Sequence, residues 1–344
     1  MALAWTPSAR LKRVALERAQ PLSASLELTY RCNWRCVFCY NPRHHDRRGL
    51  SGAEWLAVLD DLRTLGTLYV ALTGGEPLAH REFLAIARGV RERAFALRIL
   101  TNGALVTDAL AAEIAALRPL AVELSLHGAT AATHDRATAT PGSFDAMLRG
   151  LDRLLSREVG VVLKTPLTHL NETETAGLRR IADERSVPWR VDPVLTPRDD
   201  GDAGPLAYRA SSESTERVFR ELASQGQLPH EDRAEGGTNC GLGRTTIAVD
   251  PEGNVFPCLQ WRRAPLGNVR ETPLREMWAG SAERLHAASV ARAANDRLVV
   301  AGGALASFPF CPALALQRTG DPLRPDEGHR DQAAIAERVR LEPR

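Results

Sequence analysis

The sequence predicts an α/β fold: six β/α units forming an open, partial TIM-like barrel, followed by a smaller C-terminal α+β domain. Two observations carry the barrel. Short, nearly continuous apolar runs alternate with amphipathic helical patterns from about residue 22 to 193, as strands buried on both faces do. The second and third runs close on turn residues, Gly74-Gly75 and Asn102-Gly103. A third observation marks the boundary: after Asp192 the alternation stops, and the Pro-, Asp- and Gly-rich stretch 195–204 reads as a linker.

Strands are expected at 25–29, 69–73, 97–101, 120–126, 159–164 and 189–192. A helix over 53–65 places Leu56, Leu59, Leu62 and Leu65 in register, and one over 82–93 groups Phe83, Ile86, Ala87 and Val90. The next carries Leu110, Ile114 and Leu117. The clearest runs over 144–155, with Met147, Leu148, Leu151 and Leu155 as its stripe. A fifth is expected at 173–184, with Asn171 as its cap. In such folds chemistry sits at the C-terminal ends of the strands. Past the linker come a helix near 213–223 and a hairpin of 245–249 and 254–257, turned by Asp250-Pro251-Glu252-Gly253. Helices follow near 274–278 and 282–294. The chain therefore divides into an N-terminal segment (1–20), the core (21–194), a linker and helix (195–235) and a C-terminal domain (236–344).

Composition narrows the function. A net charge of +2 gives no case for broad nucleic-acid binding. No stretch approaches the ~20 apolar residues of a membrane span. Arg10, Lys12 and Arg13 interrupt what would be a signal peptide. Six cysteines in 344 residues do not make a disulfide scaffold, and three of them crowd into residues 32–39. That spacing points to metal ligation in a reducing compartment, so a cytoplasmic location is expected.

Cys32, Cys36 and Cys39 lie on one tight loop after the first strand, with the aromatic Phe38 just before the last cysteine. Three thiolates can converge on a cubane cluster, one per iron, leaving one iron open to a ligand. The alternatives are zinc, with His44 or His45 as a fourth ligand, or three unrelated core thiols. The Cys-x3-Cys-x2-Cys pattern resembles the defining motif of the radical S-adenosylmethionine superfamily. The resemblance implies a [4Fe-4S] cluster whose open iron is chelated by the methionine moiety of S-adenosylmethionine. It also implies reductive cleavage to a 5′-deoxyadenosyl radical that removes hydrogen from substrate, with a flavodoxin- or ferredoxin-type electron donor.

Further positions follow from this resemblance. Gly74, Gly75 and Glu76 end the second strand, where relatives place a turn against the methionine amine. Two glycines permit close approach to a ligand, and Glu76 offers an anion to an ammonium. Thr101 and Asn102 end the third strand, and Ser125 and His127 the fourth, where relatives contact the cofactor's methionine and ribose. Relatives often carry an acidic residue at the position of His127, which is equally read as a turn histidine bonded to backbone or as a substrate contact. Lys164, taken as a further cofactor contact, either faces the cavity or caps its strand in water, and Asp192 poses the same choice.

The C-terminal run from Cys240 through the hairpin to Cys258 resembles the opening of the SPASM/twitch extension, and Cys311 lies in a similar tail. Full members hold two clusters on about seven cysteines; this chain has three. Phe308 takes the place of a partner cysteine, and His329 falls near where a last one would stand. One auxiliary [4Fe-4S] cluster on Cys240, Cys258 and Cys311 is expected, with His329, water or substrate at its fourth iron. The alternatives are buried free thiols, or a thiol that donates hydrogen to a substrate radical. By family analogy the chain is a peptide-modifying maturase that crosslinks, epimerises or oxidises a ribosomal peptide. With about 20 residues before the first strand, a separate leader-peptide-binding protein is expected. A small-molecule dehydrogenase or decarboxylase acting on an aminocyclitol or tetrapyrrole is the second reading, and a non-catalytic iron–sulfur or zinc protein the third.

Overall fold

A computed structural model describes residues 9–41 and 43–342. Its first half runs α1 (Ala9–Arg18), β1 (Ser23–Thr29), α2 (Gly52–Thr64), β2 (Tyr69–Gly74), α3 (Phe83–Glu92), β3 (Ala96–Thr101), α4 (Asp108–Leu117) and β4 (Ala121–Ser125). Then come α5 (Ala131–Thr138), α6 (Ser143–Leu155), β5 (Val161–Pro166), α7 (Thr175–Glu184) and β6 (Trp189–Asp192). The second half holds α8 (Ser212–Ser224), β7 (Thr246–Val249), β8 (Asn254–Phe256), β9 (Gly267–Asn268), α9 (Leu274–Gly280), α10 (Ala282–Ala301), α11 (Gly303–Ser307), α12 (Pro312–Thr319) and α13 (Glu327–Leu341).

All six core strands are parallel, each beside its sequence neighbour, in the order expected of a partial barrel. The apolar stripes read from the sequence do pack the outer layer: Leu59, Leu62, Ile86, Val90, Ile114, Met147 and Leu151 join one continuous core with the strands. Helix α2 starts at a capping box, in which Ser51 accepts from the Glu54 amide and Glu54 from the Ser51 amide. Among the described residues, no helix is long and apolar enough to cross a membrane.

The C-terminal hairpin does not form a sheet of its own. Strand β7 pairs in parallel with β1, from Ser23↔Thr246 to Leu26↔Val249, and β8 and β9 add antiparallel to it. This extends the barrel sheet to nine strands. The reason is physical: β1 would otherwise present an edge of unpaired backbone groups. Ile247, Val249, Val255, Leu274, Met277 and Trp278 accordingly belong to the same core as the barrel.

Asn171 is not the cap of α7; that position belongs to Glu174. Its side chain is instead fully buried, accepting from the Thr168 amide at 2.9 Å and donating to the carbonyls of His127 and Pro166 at 3.0 Å each. It thereby ties the loop after β4 to the end of β5. Asn171→Ala would strand these backbone groups, and buried unpaired groups cost about 1–3 kcal/mol each. A loss of about 3 kcal/mol in urea unfolding is expected, and a loss below ~0.5 kcal/mol would contradict the assigned role.

Candidate active site

Strand β1 ends in the cysteine loop, and the turn after β2 is zipped to it. Gly75 N donates to Thr29 O at 2.7 Å and Glu76 N to Arg31 O at 2.8 Å. Gly74 has φ +123°, and a Cβ there would lie 2.5 Å from Thr29 O. One on Gly75 would lie 2.5 Å from Arg31 O. The close approach that requires both glycines is thus to the cysteine loop's own backbone. The ligand approach anticipated from the sequence is secondary to this.

Glu76 is fully buried. Its Oε1 accepts from Leu78 N at 2.9 Å and Thr101 Oγ1 at 2.7 Å, and its Oε2 from Asn102 N at 2.8 Å. Burial pushes its carboxyl up to about 7, opposed by these hydrogen bonds. With three donors on the described residues, a carboxylate retains acceptor capacity for one more. Asn102 passes the connection on, donating to Asn33 Oδ1 at 2.7 Å and pointing at Cys32 Sγ at 3.8 Å.

The other side of the loop rests on α5, a helix the sequence reading did not foresee. Arg35 N and Val37 N donate to the carbonyls of Thr138 and Ala137 in its last turn. Trp34 packs edge-on to His127 and His134, and Phe38 edge-on to His127 at 5.0 Å. His127 stacks on His134 at 5.6 Å, and its Nδ1 is buried with no hydrogen-bond partner. It is therefore a neutral member of an aromatic wall rather than a turn histidine bonded to backbone through its ring. Ser125, at the end of β4, stands in register with Lys164. Lys164 pairs with the buried Glu123 at 2.9 Å, and Arg98 pairs with the same carboxylate. Burial opposes the charge of Glu123, yet Lys164 and Arg98 hold its carboxyl below the usual range. Asp192, raised mainly by burial, also feels the Lys164 charge.

The cysteines form two groups. Burial pushes Cys32 up to about 11 and raises Cys36 and Cys39, and each of the first two feels its neighbours' charge. Cys240 is pushed up to about 11 and Cys311 to about 12, by burial first and then by mutual repulsion within their own group, and Cys258 is raised by burial. All six are free thiols. Among the described residues, no three His, Cys, Asp or Glu groups converge as ligands of one ion. His44 lies against Arg35 and Arg198, with its pKa lowered by burial and then by their charges. Recessed thiols that repel one another suit a cluster, in which separate irons supply the missing positive charge. His329 sits between Phe308 and Phe310, at ring distances of 5.5 and 5.1 Å. Its buried Nε2 has no partner. With Cys311, Asp192 and Arg318 it lines a cavity of about 260 Å³.

Residues 26–178 match the model of the radical SAM superfamily, and residues 240–297 that of an iron–sulfur cluster-binding domain, SPASM. The chain carries a radical SAM domain and a SPASM domain. Such domains bring an iron–sulfur cluster and S-adenosylmethionine, and the recessed thiols of Cys32, Cys36 and Cys39 are a donor set that fits such a cluster. The mycofactocin maturase MftC of Mycobacterium tuberculosis is 27% identical over 253 residues, 69% of this chain and 64% of the maturase. The chain thus spans just under two thirds of that relative's length. An AdoMet-dependent heme synthase of Methanosarcina barkeri is 28% identical over 295 residues, 77% of this chain and 84% of the synthase. In fold, the chain resembles Streptococcus suis SuiB, solved bound to S-adenosylmethionine, with TM-score 0.66 and 16% identity over 82% of this chain and 72% of SuiB.

Sequence reasoning named Asn171 only as a helix cap and missed His134, Glu27 and Arg262. Only Glu27 left a signal, an acidic residue between Leu26 and Leu28 in a buried strand.

The histidine wall makes a pH prediction. Burial lowers His134 to about 4 from an ordinary 6.5, and His127 shifts in the same direction. The unfolded chain therefore binds more protons between these values, so stability is full above about 6.5 and is lost as pH falls toward 4. His134 alone would contribute up to about 3 kcal/mol to this loss. His134→Gln should flatten the slope of unfolding free energy against pH over that window, and an unchanged slope would refute the assignment.

Proposed function

We propose that the chain is a radical S-adenosylmethionine oxidoreductase that modifies a peptide, with one [4Fe-4S] cluster on Cys32, Cys36 and Cys39. The observation that carries this is the clamping of the three-thiol loop between the Gly74-Gly75-Glu76 turn, Asn102 and the end of α5. When bound, the cluster and S-adenosylmethionine supply one-electron cleavage and hydrogen abstraction from substrate. The chain's own residues do the rest. Glu76 keeps acceptor capacity for the methionine ammonium, while Thr101, Asn102 and Ser125 present polar groups at the strand ends. The neutral His127, with Phe38 and Trp34, makes an uncharged wall that excludes water. Lys164 faces the barrel interior, steadied by Glu123.

A peptide substrate is supported by the name of a further relative, the PqqA peptide cyclase of Ruegeria pomeroyi, 26% identical over 331 residues, 89% of this chain and 86% of the cyclase. The heme synthase relative supports a tetrapyrrole as second reading, and Arg98 and Lys164 are cations suited to its carboxylates. A second cluster is proposed on Cys240, Cys258 and Cys311, with His329 as a candidate fourth ligand. Its imidazole, lowered mainly by burial to about 4, is neutral as a ligand must be.

After anaerobic reconstitution, about eight irons per chain are expected, falling to about four in the Cys32/Cys36/Cys39→Ala variant. Reductive cleavage of S-adenosylmethionine should vanish in the same variant. Four irons falling to none would remove the second cluster, and zinc in place of iron would overturn the whole reading. A mass change in a precursor peptide encoded beside the gene, absent with tetrapyrroles, would decide the substrate class.

A further inference from the structure

The two cysteine groups meet at one side chain. Arg262 follows Cys258 by four residues, and its side chain is only 6% exposed. It pairs with Glu27, on β1, at 2.5 Å, and its Nε stands 3.2 Å from Asp199 of the linker. Its guanidinium covers the Phe256 ring at 4.6 Å. Tyr40, the residue after Cys39, donates its hydroxyl to the other Glu27 oxygen at 3.1 Å, and its carbonyl accepts the Asp199 amide at 2.9 Å. The N-terminal cysteine loop, β1, the linker and the C-terminal cysteine loop are thus joined through one buried cation.

Stability alone is a weak reason for such a group. Buried ion pairs are often no more stabilising than apolar packing of the same volume, whereas they penalise any arrangement that leaves a charge unpaired. Here the arrangement they enforce includes the backbone on which Cys39 stands. Resting on the reading above, we propose that Arg262 is a positioning residue for the N-terminal cysteine site. It holds Tyr40, and through it Cys39, only when the C-terminal cysteine loop is seated. The N-terminal site's fitness for its cluster then depends on a loop more than 200 residues away in sequence, 235 from Glu27 to Arg262.

Removing Arg262 alone strands two buried carboxylates, so the test uses the neutral variant Glu27→Gln/Asp199→Asn/Arg262→Met. The readouts are iron per chain, the melting temperature, and the change in the reduced cluster's paramagnetic resonance on adding S-adenosylmethionine. The expected result is a melting temperature within a few degrees of wild type, with the S-adenosylmethionine-induced change lost in at least half the molecules. Arg262→Lys, able to pair with one carboxylate, should restore part of it, and Tyr40→Phe should lose part of it. These two milder variants decide the question if the neutral variant does not fold. An undiminished resonance change, whether or not iron or melting temperature falls, would overturn the proposal and leave Arg262 merely structural. A wild-type protein with no iron or no response to S-adenosylmethionine would fail the functional reading itself, which is a separate outcome.

Discussion

The site depends on the satisfaction of one buried carboxylate. Glu76 has no access to water, so its oxygens must find donors within the fold. They find them on its own turn and at the end of the next strand. That requirement sets the distance between the ends of β2 and β3, and Asn102, fixed by it, reaches the first cysteine. The glycines before Glu76 then let the turn lie directly on the cysteine loop. The acid expected from the sequence to meet a ligand first serves as the keystone of the ligand's floor, with capacity left over.

The barrel was legible because burial on both faces leaves apolar strands, and outer helices leave stripes at a period of 3.6. The expected strand at 189–192 coincides with β6, and the other barrel boundaries moved by a residue or two, whereas the helix expected at 282–294 runs on to Ala301. Helix α5 was not legible. Its sequence, Ala131–Thr138, has no apolar stripe, and its stability comes from Thr130 at the cap and from packing of His134 against Trp34. The cysteine positions were legible from spacing alone. The partners that hold the cysteine loops were not: His134 and Arg262 act across the fold, and nothing local marks them.

The barrel interior is not apolar: Arg98, Glu123 and Lys164 alternate in sign across three adjacent strands. Such a row holds two cations on one carboxylate, so either cation can turn to an anionic group while the other keeps Glu123 paired. The histidines of the cysteine-loop wall are neutral because burial outweighs every group that favours a second proton, Asp135 beside His134 included.

The seating of β7 on β1 also has a bearing on synthesis. Ser23 and Thr246 are register partners separated by 223 residues of chain. At ribosomal rates of about 5–20 residues per second, that edge of β1 waits roughly ten to forty-five seconds for its neighbour. During that interval the strand that begins the cysteine loop is a bare template for any other extended chain. A nascent barrel of this kind is most exposed to misassociation beside its own cysteine loop.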